Sequence, residues 1–135
     1  MRDCVNSVAI RPVIAPAVIG DNTAAVGTVI DRVGFESLTY GILAGTLADA
    51  DATFAVLLEE SDEAGSGFAP VADSDLIGTE AAAGFTFADD GEARKLGYVG
   101  NKRFTKLTIT PTGNSGSAPI AAFAVLGHAH ARPVA

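Results

Sequence analysis

The chain has 135 residues, enough for one domain and cramped for two. A hydrophobic fraction of 48% against 19% charged excludes a disordered tail, because side-chain burial can offset the entropy of ordering the backbone. The net charge of −7 and pI near 4.6 have the wrong sign for a nucleic-acid reader or an anionic membrane surface, so neither partner is expected.

From the N-terminus, Val8 to Ile19 is apolar but interrupted by Arg11, Pro12 and Pro16. It is too short and broken to span a bilayer. Asp3 and Arg11 make it a poor signal peptide. Proline fixes φ and blocks helix continuation, which predicts an extended arm over residues 1–22, lying on its own domain or on a neighbour. Cys4, the single cysteine, cannot close an internal disulfide and reads as a free thiol in that arm.

Residues 23–127 read as strands and turns. Phe35 to Ile42 alternates, with Leu38, Tyr40 and Ile42 on one face and Ser37, Thr39 and Gly41 on the other. Thr53 to Leu58 is apolar on both faces, which predicts a central strand. Glu59-Glu60-Ser61-Asp62-Glu63 runs into Gly65-Ser66-Gly67 as a turn, and Phe68 to Val71 reads as a short return strand. Glu80 to Ala83 has room for one helical turn that Gly84 ends, followed by a short strand over Gly84 to Phe87 and a turn at Asp89-Asp90-Gly91. Phe104 to Thr110 places Thr105, Leu107 and Ile109 on one face. Ile120 to Leu126 is apolar on both faces, and the dense loop signal Pro111 to Ser117 between them predicts a hairpin. No segment keeps a helical period over eleven residues. The expected fold is all-β, a single antiparallel β-sandwich of jelly-roll or immunoglobulin-like type, with residues 128–135 as a C-terminal tail.

Charge is polarised along the chain. Between Asp49 and Glu92 stand twelve acids and no base, and from Arg94 onward Arg94, Lys95, Lys102, Arg103, Lys106 and Arg132 stand with no acid. Either the two segments pair within the domain or one copy's basic segment meets the next copy's acids, which sets register and partner choice more than affinity. His128 and His130 have the spacing that puts two imidazoles on one face of a strand, half of a metal site, but no third histidine exists. Hydrogen bonding or contact with a neighbour is the plainer reading. Asp49-Ala50-Asp51 and Asp73-Ser74-Asp75 begin like calcium loops, yet neither has the terminal glutamate of the hand in register with a central glycine. No cofactor, metal site or catalytic residue is expected.

Asp31 to Leu38, Glu59 to Glu63, Leu96 to Asn114, and Ser117 to His128 continuing through Arg132-Pro133-Val134 carry a resemblance. The sequence resembles small virion proteins of tailed bacteriophages, typically encoded near the major capsid protein. Gly97-Tyr98-Val99-Gly100-Asn101-Lys102-Arg103-Phe104, joined to the Pro-Thr-Gly-Asn loop, is the most specific stretch. Relatives tend to carry a tryptophan where Phe68 stands, and a more histidine-rich terminus. The resemblance implies a head component, a capsid decoration (cement) protein, whose partners are the major capsid protein and copies of itself, located in the virion after assembly in the host cytoplasm. A head–tail connector, tail or head-fibre-base component is one alternative, and a carbohydrate- or receptor-binding sandwich another. The last wants exposed aromatics, for which Tyr40 and Tyr98 are the candidates. The residues expected at partner contacts are Val8, Arg11, Val13 and Ile14 in the arm, Arg94, Lys95, Lys102, Arg103 and Lys106 in the basic segment, and His128, His130 and Arg132 in the tail.

Overall fold

In the computed structural model, residues 3–134 are described. Period-two patterns become strands wherever one side of the pattern can be buried. In chain order these are β1 (Ala9–Ile19), β2 (Ala25–Val26), β3 (Ile30–Asp31), β4 (Phe35–Ala44), β5 (Thr53–Ser61), β6 (Ala69–Pro70), β7 (Leu76–Ile77), the single turn α1 (Glu80–Ala83), β8 (Phe85–Thr86), β9 (Ala93–Tyr98), β10 (Phe104–Thr112) and β11 (Ala118–Ala129). The first sheet has the order β1-β11-β4-β9-β7, and the second β2-β10-β5-β6, with β3 also on β10 and β8 on β5. Every pairing is antiparallel.

Long strands that follow one another mostly change sheets: β4 to β5, β9 to β10, β10 to β11. That order, with β1-β11-β4-β9 in one sheet and β2-β10-β5-β6 in the other, is a jelly roll. It corrects the expected hairpin, since β10 and β11 lie in opposite sheets. The reason is geometric. Thr105, Leu107 and Ile109 face Ile120, Ala122, Ala124 and Leu126 across the interior, and the intervening loop carries the chain from one layer to the other.

The inner faces form one core. Leu38, Tyr40, Ile42, Leu96, Tyr98 and Leu126 from the first sheet meet Phe54, Leu58, Leu107 and Ile109 from the second. Each such side chain contributes roughly 1.5–3 kcal/mol of hydrophobic stabilisation when fully buried. A buried polar pair crosses the seam: the Tyr40 hydroxyl and Thr105 Oγ1 share a hydrogen bond of 2.5 Å, so neither buried oxygen is left without a partner.

The expected arm is a strand of the sandwich. Ala9 to Ile19 pairs with β11 along the first sheet's edge, and Ala9 and Val13 enter the core. Register shifts between Pro12 and Ile14 and between Ile14 and Ala17 place the prolines where an edge strand can do without their N–H groups. The far end is tied as well: the Val134 N–H donates to the Asn6 carbonyl, and the His130 N–H to that of Gly34. The sheet therefore crosses the expected limits at residues 22 and 128. Thr53 to Leu58 is central in its sheet, but only Phe54, Val56 and Leu58 are buried, and Leu57 faces outward. The single helical turn is as expected: Thr79 Oγ1 accepts from the Ala82 N–H and Gly84 closes it.

Thr105→Val should cost about 1–3 kcal/mol by stranding the Tyr40 hydroxyl, and Tyr40→Phe on top of it should restore part of that loss. Urea unfolding of both single variants and the double reads the coupling. Strictly additive losses would deny the bond its place in the seam.

Candidate interaction surfaces

The acidic and basic segments meet inside this chain. Lys106 lies opposite Glu59 in the β10–β5 register, with Nζ 3.9 Å from the carboxylate and 4.5 Å from the Phe68 ring centroid. Lys102 pairs with Asp62 at 2.7 Å, Arg103 makes two bonds of 2.8 Å to Asp31, and Arg94 reaches Asp89 at 2.9 Å and Glu92 at 2.6 Å. Hydrogen bonds from Arg103 hold the Asp31 carboxyl below the usual carboxylate range. These pairs are solvent-accessible and screened by salt, so they add little to stability. Arg11, Lys95 and Arg132 are exposed and have no carboxylate partner among the described residues.

The expected terminal contacts are similarly placed. Val13 is buried, Val8 and Ile14 are half-buried, and the His130 ring contacts the Glu36 carboxylate. His128 departs from the strand pattern: its φ of 50° is left-handed, so the alternation that would place both imidazoles on one face breaks there. Among the described residues no group of three His, Cys, Asp or Glu side chains is arranged to hold a metal ion.

The stretches behind the resemblance are joints of the fold. The Tyr98 hydroxyl donates to Glu60 Oε1 at 3.1 Å and accepts from the Lys102 N–H at 3.0 Å, while the Arg32 guanidinium lies over its ring and donates to the Lys102 and Gly100 carbonyls. This fastens the crossover from β9 to β10. In the Pro-Thr-Gly-Asn loop, Gly113 takes φ +67°, and the buried Asn114 amide donates to the Ile19 and Asp21 carbonyls. Ser115 donates to Asp49 from its N–H and its hydroxyl, which lowers that carboxyl's pKa. Tyr40 and Tyr98 are 0% and 1% exposed and offer no stacking platform to a sugar.

A surface that the sequence analysis did not single out is the outer face of the first sheet. The paired registers align its outward positions in rows: Ala121, Leu43 and Ala93; Pro12, Phe123, Gly41 and Lys95; Ile10, Val125, Thr39, Gly97 and Ile77. Lys95 is the one charge in these rows. Ile10, Leu43 and Ile77 are 64%, 47% and 65% exposed. Two glycines lie under neighbouring side chains: the Phe123 ring lies against Gly41, where any Cβ would collide with it, and Ile77 covers Gly97. It runs on past Val18 and Pro119 into an open apolar groove of about 490 Å³ between β1, β4 and β11. The second sheet's outer face differs, carrying Glu59, Lys106 and a run of threonines at Thr53, Thr108 and Thr110. The signal for the apolar face was in the doubly apolar strand Ile120 to Leu126, whose outward half needed a sheet order before it meant anything.

No protein family model and no curated protein matches the sequence. Among solved structures, the PBSX exported protein XepA aligns with TM-score 0.58 at 17% identity over 94% of this chain and 39% of that one. The chain thus spans about two fifths of XepA's length, and the likeness is one of fold. Looser likenesses are to the C-terminal family 22 carbohydrate binding module of Clostridium thermocellum Xyn10B (TM-score 0.45, 11% identity, 96% of this chain and 92% of that one) and to a Bacillus endospore appendage protein of disulfide-linked pili (TM-score 0.43, 13% identity, 94% and 96%).

Burial pushes the Tyr98 phenol up to about 12, and burial likewise raises Tyr40. An unfolded tyrosine ionises near pH 10, so between about pH 10 and 12 the folded chain holds protons that the unfolded chain releases. Stability is full below pH 10 and falls across that window. Phenolate absorbance should rise together with unfolding; titration of both tyrosines near pH 10 in a still-folded chain would contradict their burial.

Proposed function

We propose that this chain is a bacteriophage virion structural protein, a capsid decoration protein that binds the outer shell and stabilises the head. The proposed activity is adhesion and not catalysis. The observation that carries it is the broad apolar face of the first sheet, bordered by Glu36 but with no acid in its three central rows, on a chain of net charge −7. Exposed apolar area of this kind, rimmed by polar residues, marks a surface that works by being covered. Four of the basic residues in the C-terminal segment are engaged by the chain's own acids, so contact energy comes mainly from apolar burial. Multiplied by the symmetry of a particle, small increments of that kind stabilise a shell.

The word "capsid" rests on the resemblance of Gly97 to Phe104 and the Pro-Thr-Gly-Asn loop. The jelly roll supports it as an architecture that viral capsid proteins use, in company with lectins and other binding proteins. Particles lacking the protein should release DNA at lower temperature than complete ones, and adding the purified chain should restore resistance. A particle map should count hundreds of copies. Equal heat resistance with and without the protein overturns the reading, and six or twelve copies on the portal axis would replace decoration by a connector role.

A further inference from the structure

We infer that the outer face of the first sheet is a self-association surface, on which two copies of this chain stack face to face. The inference rests on reading that face as the adhesive one and names what covers it.

Three features favour a second copy over another occupant. The first is charge. Two chains of net charge −7 repel at long range, yet the outward rows on β1, β11, β4, β9 and β7 contain no acid. This face lets two copies touch without opposing carboxylates. Lys95 sits one strand away from Gly41, so a twofold axis near Gly41 and Phe123 places the two Lys95 ammonium groups on opposite sides of it. An acidic partner would call for more than one cation, and an anionic lipid surface for a basic cluster.

The second is shape. Glycines at 41 and 97 leave room for Phe123 and Ile77 to lie across the strands, and twisted sheet faces pack on one another with strands crossing by about 30°. The third is size. At about 4.8 Å between strands and 3.3 Å per residue, the rows and their continuation to Val18 and Pro119 cover roughly 440 Å² per copy, or about 900 Å² in a pair. That is less than a stable dimer needs and fits a weak, transient pair that forms when copies are concentrated.

Sedimentation velocity of the purified chain over a range of concentrations, at low and high salt, tests this. Dimers should form in a concentration-dependent way and tighten by about 3–10-fold at high salt, which screens the −7 repulsion and strengthens apolar contact. Leu43→Asp should weaken the dimer at least about tenfold. Ile10→Asp, on the edge strand, should do the same and covers the case in which the first variant unfolds; thermal melts verify folding. Leu57→Asp, on the opposite outer face, should dimerise normally. A wild-type chain monomeric throughout, a dimer loosened by salt, or equal sensitivity to Leu57→Asp overturns the inference. A monomeric wild type that still coats depleted particles, and loses this with Leu43→Asp, overturns the second copy as occupant and leaves the proposed function standing. A dimer broken by Leu43→Asp that never joins particles supports the inference and overturns the virion reading.

Discussion

The seam between the two inner sheet faces governs the rest of this molecule. Tyr40, Leu38, Ile42, Leu107 and Ile109 fill it, and the Tyr40–Thr105 hydrogen bond crosses it between two fully buried side chains. An interior of this kind has no place for unpaired charge. Charged side chains are therefore confined to rims, crossovers and outer faces, and where they end up decides what the protein can bind.

They are not shared evenly. Antiparallel pairing of β5 with β10 lays part of the acidic segment against part of the basic one, and Glu59–Lys106 is their cross-strand meeting point. Lys102, Arg103 and Arg94 find carboxylates at crossovers and turns. The remaining acids crowd the turns and the second sheet's side. The first sheet's outer face, built from β1, β4, β7, β9 and β11, has no acid in its central rows, and Glu36 stands at one end of it. The chain thereby carries one largely apolar face, while its net charge of −7 sits elsewhere on the surface. This asymmetry unites the proposed adhesion with the proposed pairing of copies.

Much of this was legible in the residues. Alternation in Phe35 to Ile42 and Phe104 to Thr110 named the buried positions, and Gly84 marked the end of the helical turn. What alternation does not encode is the sheet to which a strand belongs. An inward face reads the same from either layer, so β10 and β11 look like a hairpin although they oppose one another. Prolines in Ala9 to Ile19 suggested an arm because they forbid a central strand, whereas an edge with two register shifts accommodates them. The motif Gly97 to Phe104 drew attention as a signature, and its side chains turn out to fasten a crossover. Binding surface was sought in charges, since charge is conspicuous in a sequence; the apolar face exists only after four distant segments are laid side by side.

The most direct test of the central claim, that the first sheet's outer face is the surface covered in the working assembly, is hydroxyl-radical footprinting of the chain free and assembled. Oxidation of Ile10, Leu43, Ile77 and Phe123 should fall on assembly while Val26 and Leu57, exposed on the other sheet, keep their reactivity. Protection of Val26 and Leu57 with the first sheet's outer residues still reactive would contradict the account.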